Sequence, residues 1–375
     1  MKILHVCESI IGGTGSYLAE LIPPQVERYG AENVALLVPE THMDFIEEGI
    51  INSGARIITF PRPRRLTGAI FLSGHYLKSI FSFKPDIVHA HSTVAGVVVR
   101  VLRIWRTKII FCPHGWSVDM KGTGRIQKIA EKVERMLARM ADRIIVISRH
   151  EYDRALELGI PASRLALIPN GIRKEAPSID PAIWDDDRIK VLYAGRLDYQ
   201  KGVDVLLKAV EGLDDRLVLR LAGDAAVGSN LLPTTLPAGV EKLGWLDRKE
   251  VSAQMKSCDI LIVPSRWEGF GLVAIEAMRL GKPVAASTVG GLKDIVDGGN
   301  FGYAFPPEDD AALHAFLKTL DKDSLREKGE IGHRRFLATY TSDRMVHQVD
   351  EVYSSQFSVV TVAQGELAKN RRQRA

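Results

Sequence analysis

Residues 190–202 read KVLYAGRLDYQKG, and residues 259–277 read DILIVPSRWEGFGLVAIEA. In each, a short apolar run ends at a Gly or Pro, passes through a charged loop and gives way to an apolar helical pattern. Neither run alternates with polar residues, which is how a strand buried on both faces of a parallel sheet reads. Working outward, related runs recur as LVLRLAG (217–223), PVAAS (283–287) and GYAF (302–305). An earlier series precedes them: KILHVC (2–7), NVALLV (33–38), RIITF (56–60), DIVHAH (86–91), KIIFCPH (108–114) and RIIVIS (143–148), with helical stretches at 15–29, 92–104 and 122–141. Two successive β-α series predict two doubly wound α/β domains, for which 375 residues suffice. The boundary is expected in IPNGIRKEAPSIDPAIWDDD (168–187), which combines Asn-Gly, three prolines and an acidic run. The expected division is a first domain over 1–172, a linker over 173–187 and a second domain over 188–340. A helix over 341–357 is expected to return to the first domain, with a loose tail over 358–375.

Hydrophobic residues make up 46% and charged residues 26%, which excludes wholesale disorder and fibrous repeats. No apolar stretch reaches the roughly 18 residues of a membrane-spanning helix. MKILHVCESI is interrupted by Glu8 too early for a secretory leader and reads as a buried strand. Cys7, Cys112 and Cys258 are scattered without metal-ligand spacing, so reduced thiols and a cytoplasmic setting are expected. The net charge of +4 hides an uneven distribution: residues 56–149 carry 18 basic against 5 acidic side chains, and residues 1–55 carry 2 against 8. Such a concentration attracts anions or forms solvated helix faces. Nucleic acid is not the expected partner, because aromatic residues do not interleave with the cations and no RNA-binding or zinc-finger motif is present.

In open α/β sheets ligands bind beyond the carboxyl ends of the strands, so candidate chemistry is sought there. The first strand runs into Glu8-Ser-Ile-Ile-Gly12-Gly13-Thr-Gly15-Ser16, whose glycines either let amides approach an anion or simply make a tight turn. It matches neither G-x-G-x-x-G nor a P-loop. His114, at the end of the fifth strand and before Gly115, either meets a substrate or holds the turn. His89 and His91 read as core or turn partners. Arg196 and Lys201 place two cations beside a helix N-terminus, a geometry suited to diphosphate, although surface ion pairs also account for them. Gly223-Asp224 and Leu243-Gly244-Trp245-Leu246 are candidate walls of a base or ribose pocket. In PSRWEGFGLVAIEA (264–277), the amides of Phe270, Gly271 and Leu272 can cradle a phosphate. Glu268 and Glu276 can accept hydrogen bonds from sugar hydroxyls. Glu276 stands in an otherwise apolar helix, where a carboxylate without a partner is costly.

Taken in order, the Gly-Gly near residue 12, HG at 114, IPNGI at 168–172, GRLDYQKG at 195–202, LAGD at 221–224 and PSRWEGFGLVAIEA resemble the retaining family-4 glycosyltransferases. The resemblance spans nearly the whole chain, and its E-x7-E segment is the most specific part. It implies the GT-B fold: two facing Rossmann-like domains with parallel sheets and an intervening cleft. It also implies metal-independent, retaining transfer of a sugar from a nucleotide diphosphate sugar, UDP- or GDP-linked, to a glycan or polyprenyl-linked acceptor in polysaccharide biosynthesis. By position, Gly13 would approach the diphosphate, Arg196 and Lys201 would neutralise it, and Gly223 would lie in the donor site. Glu276 would bind the ribose hydroxyls. Glu268, with the amides of Phe270, Gly271 and Leu272, would contact donor sugar and phosphate, and His114 would touch the sugar at the reacting centre. The first loop departs from the family's GG-x-E-R pattern, which bears on acceptor selection.

No D-x-D pair stands in a metal-binding context, so neither metal nor cofactor is expected. A nicotinamide-dependent dehydrogenase would use the same sheets but needs the missing G-x-G-x-x-G, and a nucleotide-sugar-binding protein without transfer would keep every donor residue. Arg62, Arg64 and Arg65 in FPRPRRL, and Arg100, Arg103 and Arg106 among apolar residues, are expected to meet an anionic membrane at the cytoplasmic face.

Overall fold

Strands β1 (Ile3–Cys7), β2 (Val34–Pro39), β3 (Arg56–Phe60), β4 (Ile87–His91), β5 (Lys108–Cys112), β6 (Arg143–Val146) and β7 (Leu165–Leu167) form one parallel sheet in a computed structural model of the chain. Its order is β3-β2-β1-β4-β5-β6-β7. A second parallel sheet contains β8 (Ile189–Ala194), β9 (Leu217–Ala222), β10 (Val240–Gly244), β11 (Ile260–Val263), β12 (Val284–Ser287) and β13 (Tyr303–Phe305), in the order β10-β9-β8-β11-β12-β13. The structure describes residues 1–62, 65–104, 106–116, 124–225 and 232–372, with backbone alone at 65, 66, 124–126 and 358–372. These are the two Rossmann-like sheets of a GT-B protein.

The chain divides into two compact units. One comprises Met1–Ile147, Glu151–Gly171 and Ser342–Ala375, and the other Ser148–His150 and Ile172–Thr341. In the first, Leu4, Val6, Leu37, Val88, Ile109 and Ile144 belong to one buried apolar cluster. In the second, Val191, Leu206, Leu219, Ile262 and Leu313 form the corresponding core. Continuous apolar runs suit the central strands, which are buried on both faces, whereas the edge strands β3 and β10 carry exposed residues. Residues 172–187 lie with the second unit: Trp184 is buried, its indole N–H donates to Gln254 at 2.7 Å, and the Arg220 guanidinium covers its ring at 4.4 Å.

The expected helix over 341–357 is longer, running from Ser342 to Arg372. Apart from Gly365 the expected tail contains no helix breaker, so nothing local ends the helix at 357. No helix among the described residues is long and apolar enough to cross a membrane.

The strand orders locate the sites. In the first sheet β1 lies between β2 and β4, and in the second β8 lies between β9 and β11. Successive connections leave in opposite directions at such a switch point, opening a crevice outside the strand ends. The loops there are Glu8–Gly12 and Ser92 in the first unit, and Gly195–Gly202 and Pro264–Gly271 in the second.

Candidate active site

In the second unit, the loops after β8 and β11 are pressed together. Gly202 caps the helix Val203–Ala209 at φ 65°, and a Cβ there would lie 2.1 Å from the Pro264 carbonyl oxygen, so only glycine fits. The Arg266 amide donates to the Gln200 carbonyl at 2.8 Å. Its guanidinium forks onto Asp204 with two bonds of 2.8 Å, reaches Glu308 at 2.7 Å and covers the Tyr199 ring at 3.9 Å. Arg266 therefore rivets one loop to the other, a bidentate use that lysine cannot copy. Nothing in the sequence pattern singled it out from the surrounding loop.

Held this way, Lys201 donates to the Glu268 carboxylate, both side chains largely out of solvent. Arg196 is more open and pairs with Asp198 at 3.0 Å, while also donating to Gln200 at 2.8 Å. The two expected diphosphate cations thus stand on one loop, each matched to a carboxylate. The Tyr193 hydroxyl donates to the Arg196 carbonyl at 2.6 Å and steadies that loop. Gly271 caps the helix Leu272–Arg279 in the left-handed region at φ 101°, and a Cβ there would strike Leu292 at 2.5 Å. Phe270 is buried edge-on to Tyr340 and anchors the turn, with Leu272 opening the helix. The first amides of that helix carry no intrahelical partner, as an anion site requires.

Glu276 lies one turn into this helix, half-buried, and accepts no hydrogen bond among the described residues. Burial pushes its carboxyl upward, opposed by Arg248 and Arg279. Arg248 opens the helix Arg248–Ser257, whose capping box joins Asp247 and Glu250. Gly223 donates to the Gly244 carbonyl at 2.8 Å, so the suggested pocket walls are adjacent. A Cβ on Gly223 would meet the Gly195 carbonyl at 1.9 Å. Trp245 is 76% exposed, and Asp224 pairs with Lys242 at 2.8 Å.

In the first unit, Gly13 is the first residue of the helix Gly13–Tyr29, which Gly12 caps at φ 83° without any side-chain acceptor. Glu8 turns the other way: its carboxylate accepts from the Val94 and Ala95 amides at 3.1 and 2.9 Å and so caps the helix Thr93–Val101. Burial raises this carboxyl, and the two amides counter it. His114 stands past β5 in the left-handed region at φ 53°. Buried Trp116 pins the turn by donating to the Glu151 carbonyl at 2.9 Å.

His114 does not stand alone. Its Nε2 lies 3.0 Å from His91 Nδ1, His91 Nε2 lies 3.1 Å from His5 Nδ1, and His5 Nε2 lies 2.8 Å from Gln25 Oε1. Parallel strands β1 and β4 put His5 beside His89, and period two returns His91 to the same face. Tyr17 stands edge-on to His114, with centroids 4.8 Å apart. Burial holds His5 down at about 4 and His114 at about 3, and His89 and His91 well below the imidazole range. One nitrogen from each of His5, His89 and His91 falls within 4.8 Å of the others. Both nitrogens of His5 and of His91 are already committed to hydrogen bonds, so the cluster reads as a hydrogen-bonded chain rather than a metal cage.

Two of the arginines expected at a membrane, Arg100 and Arg103, are placed otherwise. Arg100 is fully buried, ion-paired with Glu134 at 2.5 Å and stacked on Phe111 at 3.9 Å. Arg103 pairs with Asp142 at 3.1 Å. Of the three arginines expected at helical spacing only Arg100 lies on the helix Thr93–Val101, and Arg100 and Arg103 point at a neighbouring helix and a strand start. The helix ends at Val101, before Arg106, which is exposed. Arg62 reaches His42 at 3.5 Å and acts on the nearby Glu8. Arg64 lies outside the described residues, and Arg65 opens the helix Arg65–Phe83.

Two family descriptions divide the chain between them: "Glycosyltransferase Family 4" matches residues 11–176 and "Glycosyl transferases group 1" matches 177–332. An uncharacterized 41.2 kDa protein in the cps region of Klebsiella pneumoniae is 26% identical over 95% of this chain and 100% of its own. The phosphatidyl-myo-inositol mannosyltransferase of Mycobacterium leprae is 26% identical over 95% and 97%. Among solved structures, Anabaena Alr3699/HepE in complex with UDP-glucose superposes with a TM-score of 0.77 at 20% identity, covering 95% of this chain and 100% of its own. Both sheets, the loops at their switch points and both family matches agree, and the chain belongs to family 4 of the glycosyltransferases, a group of retaining hexosyltransferases.

Proposed function

We propose that this glycosyltransferase uses a UDP-sugar as donor and a glycan or lipid-linked acceptor, in the synthesis of a bacterial polysaccharide. The observation that carries the donor half is the meeting of Lys201 and Glu268 beside the open N-terminus of the helix Leu272–Arg279. Departure of the nucleotide places negative charge on the diphosphate and positive charge on the anomeric carbon. Fixed cations and amide dipoles aimed at the leaving group stabilise that charge without reorganising. Arg196, Lys201 and the amides of Phe270, Gly271 and Leu272 take that role, with Gly13 approaching the same diphosphate. Glu276 accepts from the ribose hydroxyls, Glu268 faces the donor sugar, and His114 contacts the sugar at the reacting centre. The acceptor attacks the face the nucleotide leaves, and the leaving phosphate takes its proton, which preserves the anomeric configuration without a protein nucleophile or a metal. The UDP-glucose bound to the Anabaena protein supports the choice of UDP. The cps region of the Klebsiella relative supports the polysaccharide setting.

The acceptor side includes a membrane. On the helix Gly124–Ala138, Ile129, Val133 and Met136 are 62%, 41% and 58% exposed and lie on one stripe. Lys128 and Lys132, with Arg139 just beyond the helix, form a parallel exposed stripe beside it. An apolar band bordered by cations is what an anionic lipid surface holds. This face replaces Arg100 and Arg103 as the membrane surface.

A thermal-shift panel of UDP-, GDP- and ADP-sugars tests the donor. Stabilisation by UDP-sugars, followed by time-dependent release of UDP, is expected. Stabilisation without any release on adding glycan or polyprenyl-phosphate acceptors would mark a binding protein instead.

A further inference from the structure

Behind His114 the hydrogen-bonded chain is unbroken for three links and ends on a glutamine whose orientation is itself determined. A neutral imidazole carries one N–H and one lone pair, so each link fixes the next. Gln25 presents its oxygen to His5 Nε2, which must therefore carry the proton. His5 Nδ1 is then an acceptor, so His91 donates from Nε2 and accepts at Nδ1. His114 in turn donates from Nε2. Its Nδ1 is left with a lone pair and has no partner among the described residues. Turning the Gln25 amide over would reverse every proton in the chain, and His114 would then offer an N–H.

Beside the amide lies Asp350, on the helix Ser342–Arg372. Its carboxylate accepts from Arg28 at 2.8 Å and is 2% exposed. The Gln25 amide nitrogen and Asp350 Oδ1 are both buried and have no hydrogen-bond partner among the described residues. Burial pushes the Asp350 carboxyl and the Tyr353 hydroxyl upward, and the neighbouring Gln25 side chain, with Arg28 beside Asp350, opposes that push. An ionised carboxylate only accepts, so it selects the amide's nitrogen and leaves the oxygen for His5. His89 stands outside the chain, its Nδ1 2.7 Å from the Tyr353 hydroxyl. Burial keeps His5, His91 and His114 neutral, the condition for a single proton order.

We propose that Gln25, oriented by the Arg28–Asp350 pair, sets the tautomer of His114 through His5 and His91, so that His114 meets the donor sugar as a hydrogen-bond acceptor and never as a donor. This rests on the reading that His114 contacts the sugar. Gln25, His5, His91 and Asp350 are positioning residues. Their effect is to demand a donating hydroxyl at that point and to pull electron density onto its oxygen as charge develops on the ring.

The test is the tautomer itself, read by long-range ¹⁵N–¹H correlation on the full chain labelled in histidine, with His114→Gln identifying the signals. The wild type should show His114 protonated at Nε2 alone. Gln25→Leu and the near-isosteric Asp350→Asn should both populate the Nδ1–H form and lower kcat about fivefold, the effect of one hydrogen bond, with donor KM little changed. Circular dichroism checks that each variant is folded, and Asp350→Asn serves if Gln25→Leu is not. His114 remaining entirely Nε2-protonated in the folded variants would overturn the proposal, and so would a changed tautomer with unchanged kcat. Full transfer by His114→Ala would instead overturn the reading beneath it, which the tautomer measurement does not depend on.

Discussion

Lys201 and Glu268, 67 residues apart in sequence, form an ion pair between loops leaving the neighbouring strands β8 and β11. The pairing makes one loop's cation depend on the other's carboxylate. A diphosphate arriving at Lys201 must compete with Glu268, so the two carboxylates of the E-x7-E segment should respond differently to mutation. Glu268→Gln removes the competitor and should leave UDP bound as tightly as in the wild type or tighter, while kcat falls because the contact facing the donor sugar is lost. Calorimetric titration of UDP beside steady-state kinetics checks this. Weaker UDP binding with unchanged kcat would place Glu268 on the nucleotide instead.

Glu276 has no such neighbour to release. Glu276→Ala should weaken UDP binding by roughly 10- to 100-fold, the range for losing a hydrogen bond to a charged acceptor, about 1.5–3 kcal/mol. The protein itself should be as stable as the wild type or slightly more so, since a half-buried carboxylate without a hydrogen bond has gone. Unchanged nucleotide affinity would remove it from the ribose site.

Gly202→Ala tests the contact between the loops. The new methyl must occupy space 2.1 Å from the Pro264 carbonyl, at a backbone angle of φ 65° that alanine resists. A loss of roughly 1–3 kcal/mol in stability is expected. Donor affinity should fall with it, because Lys201 and Glu268 are moved apart. A variant with wild-type melting temperature and wild-type UDP affinity would show that the loops are not held as described.

The parallel sheets were legible because buried strands leave continuous Val, Ile and Leu runs, and the loops proposed to hold the donor stood out because Gly, Arg, Lys and Glu gather at strand ends. The short strands Val240–Gly244 and Leu165–Leu167 were not, since neither builds a long apolar run. Sequence spacing placed Arg100 and Arg103 on one helix, but the helix ends at Val101 and the spacing did not tell which side faces the protein. Glu134 and Asp142, which receive them, come from later elements. His5 and Gln25 were invisible as functional residues for the same reason: their meaning comes from His91, 86 residues on from His5, and from Asp350 near the far end of the chain. Arg266, which rivets the donor loops, looked like any polar loop residue beside the glutamate motif.

Membrane attachment should follow the exposed face of the helix Gly124–Ala138. Liposome co-sedimentation should show binding to anionic vesicles and little to neutral ones, lost by about 0.5 M salt as screening shortens. Lys128→Glu with Lys132→Glu should abolish it, since each cation near such a surface contributes about 1 kcal/mol. Arg100→Ala should instead lower stability, by leaving Glu134 buried without its partner. Equal binding to both vesicle types, or retention in the double variant, would contradict this assignment.

The histidine chain also predicts how the first unit responds to acid. Buried His5 titrates at about 4, against 6.5 for an ordinary imidazole, and His114 at about 3. Between these values the unfolded chain binds protons that the folded chain refuses, so stability falls as pH falls. The contribution is fully present above pH 6.5 and is lost as pH drops through the folded values. At pH 5 His5 alone accounts for about 2 kcal/mol of that loss. His89 and His91, displaced in the same direction, add to it. Calorimetric melting between pH 7.5 and 5 should therefore show a steep decline, made shallower in His5→Gln by nearly one proton even though that variant begins less stable. An identical slope in His5→Gln would mean that His5 takes up its proton in the folded state near its ordinary value, and that the chain behind His114 is not held neutral by burial.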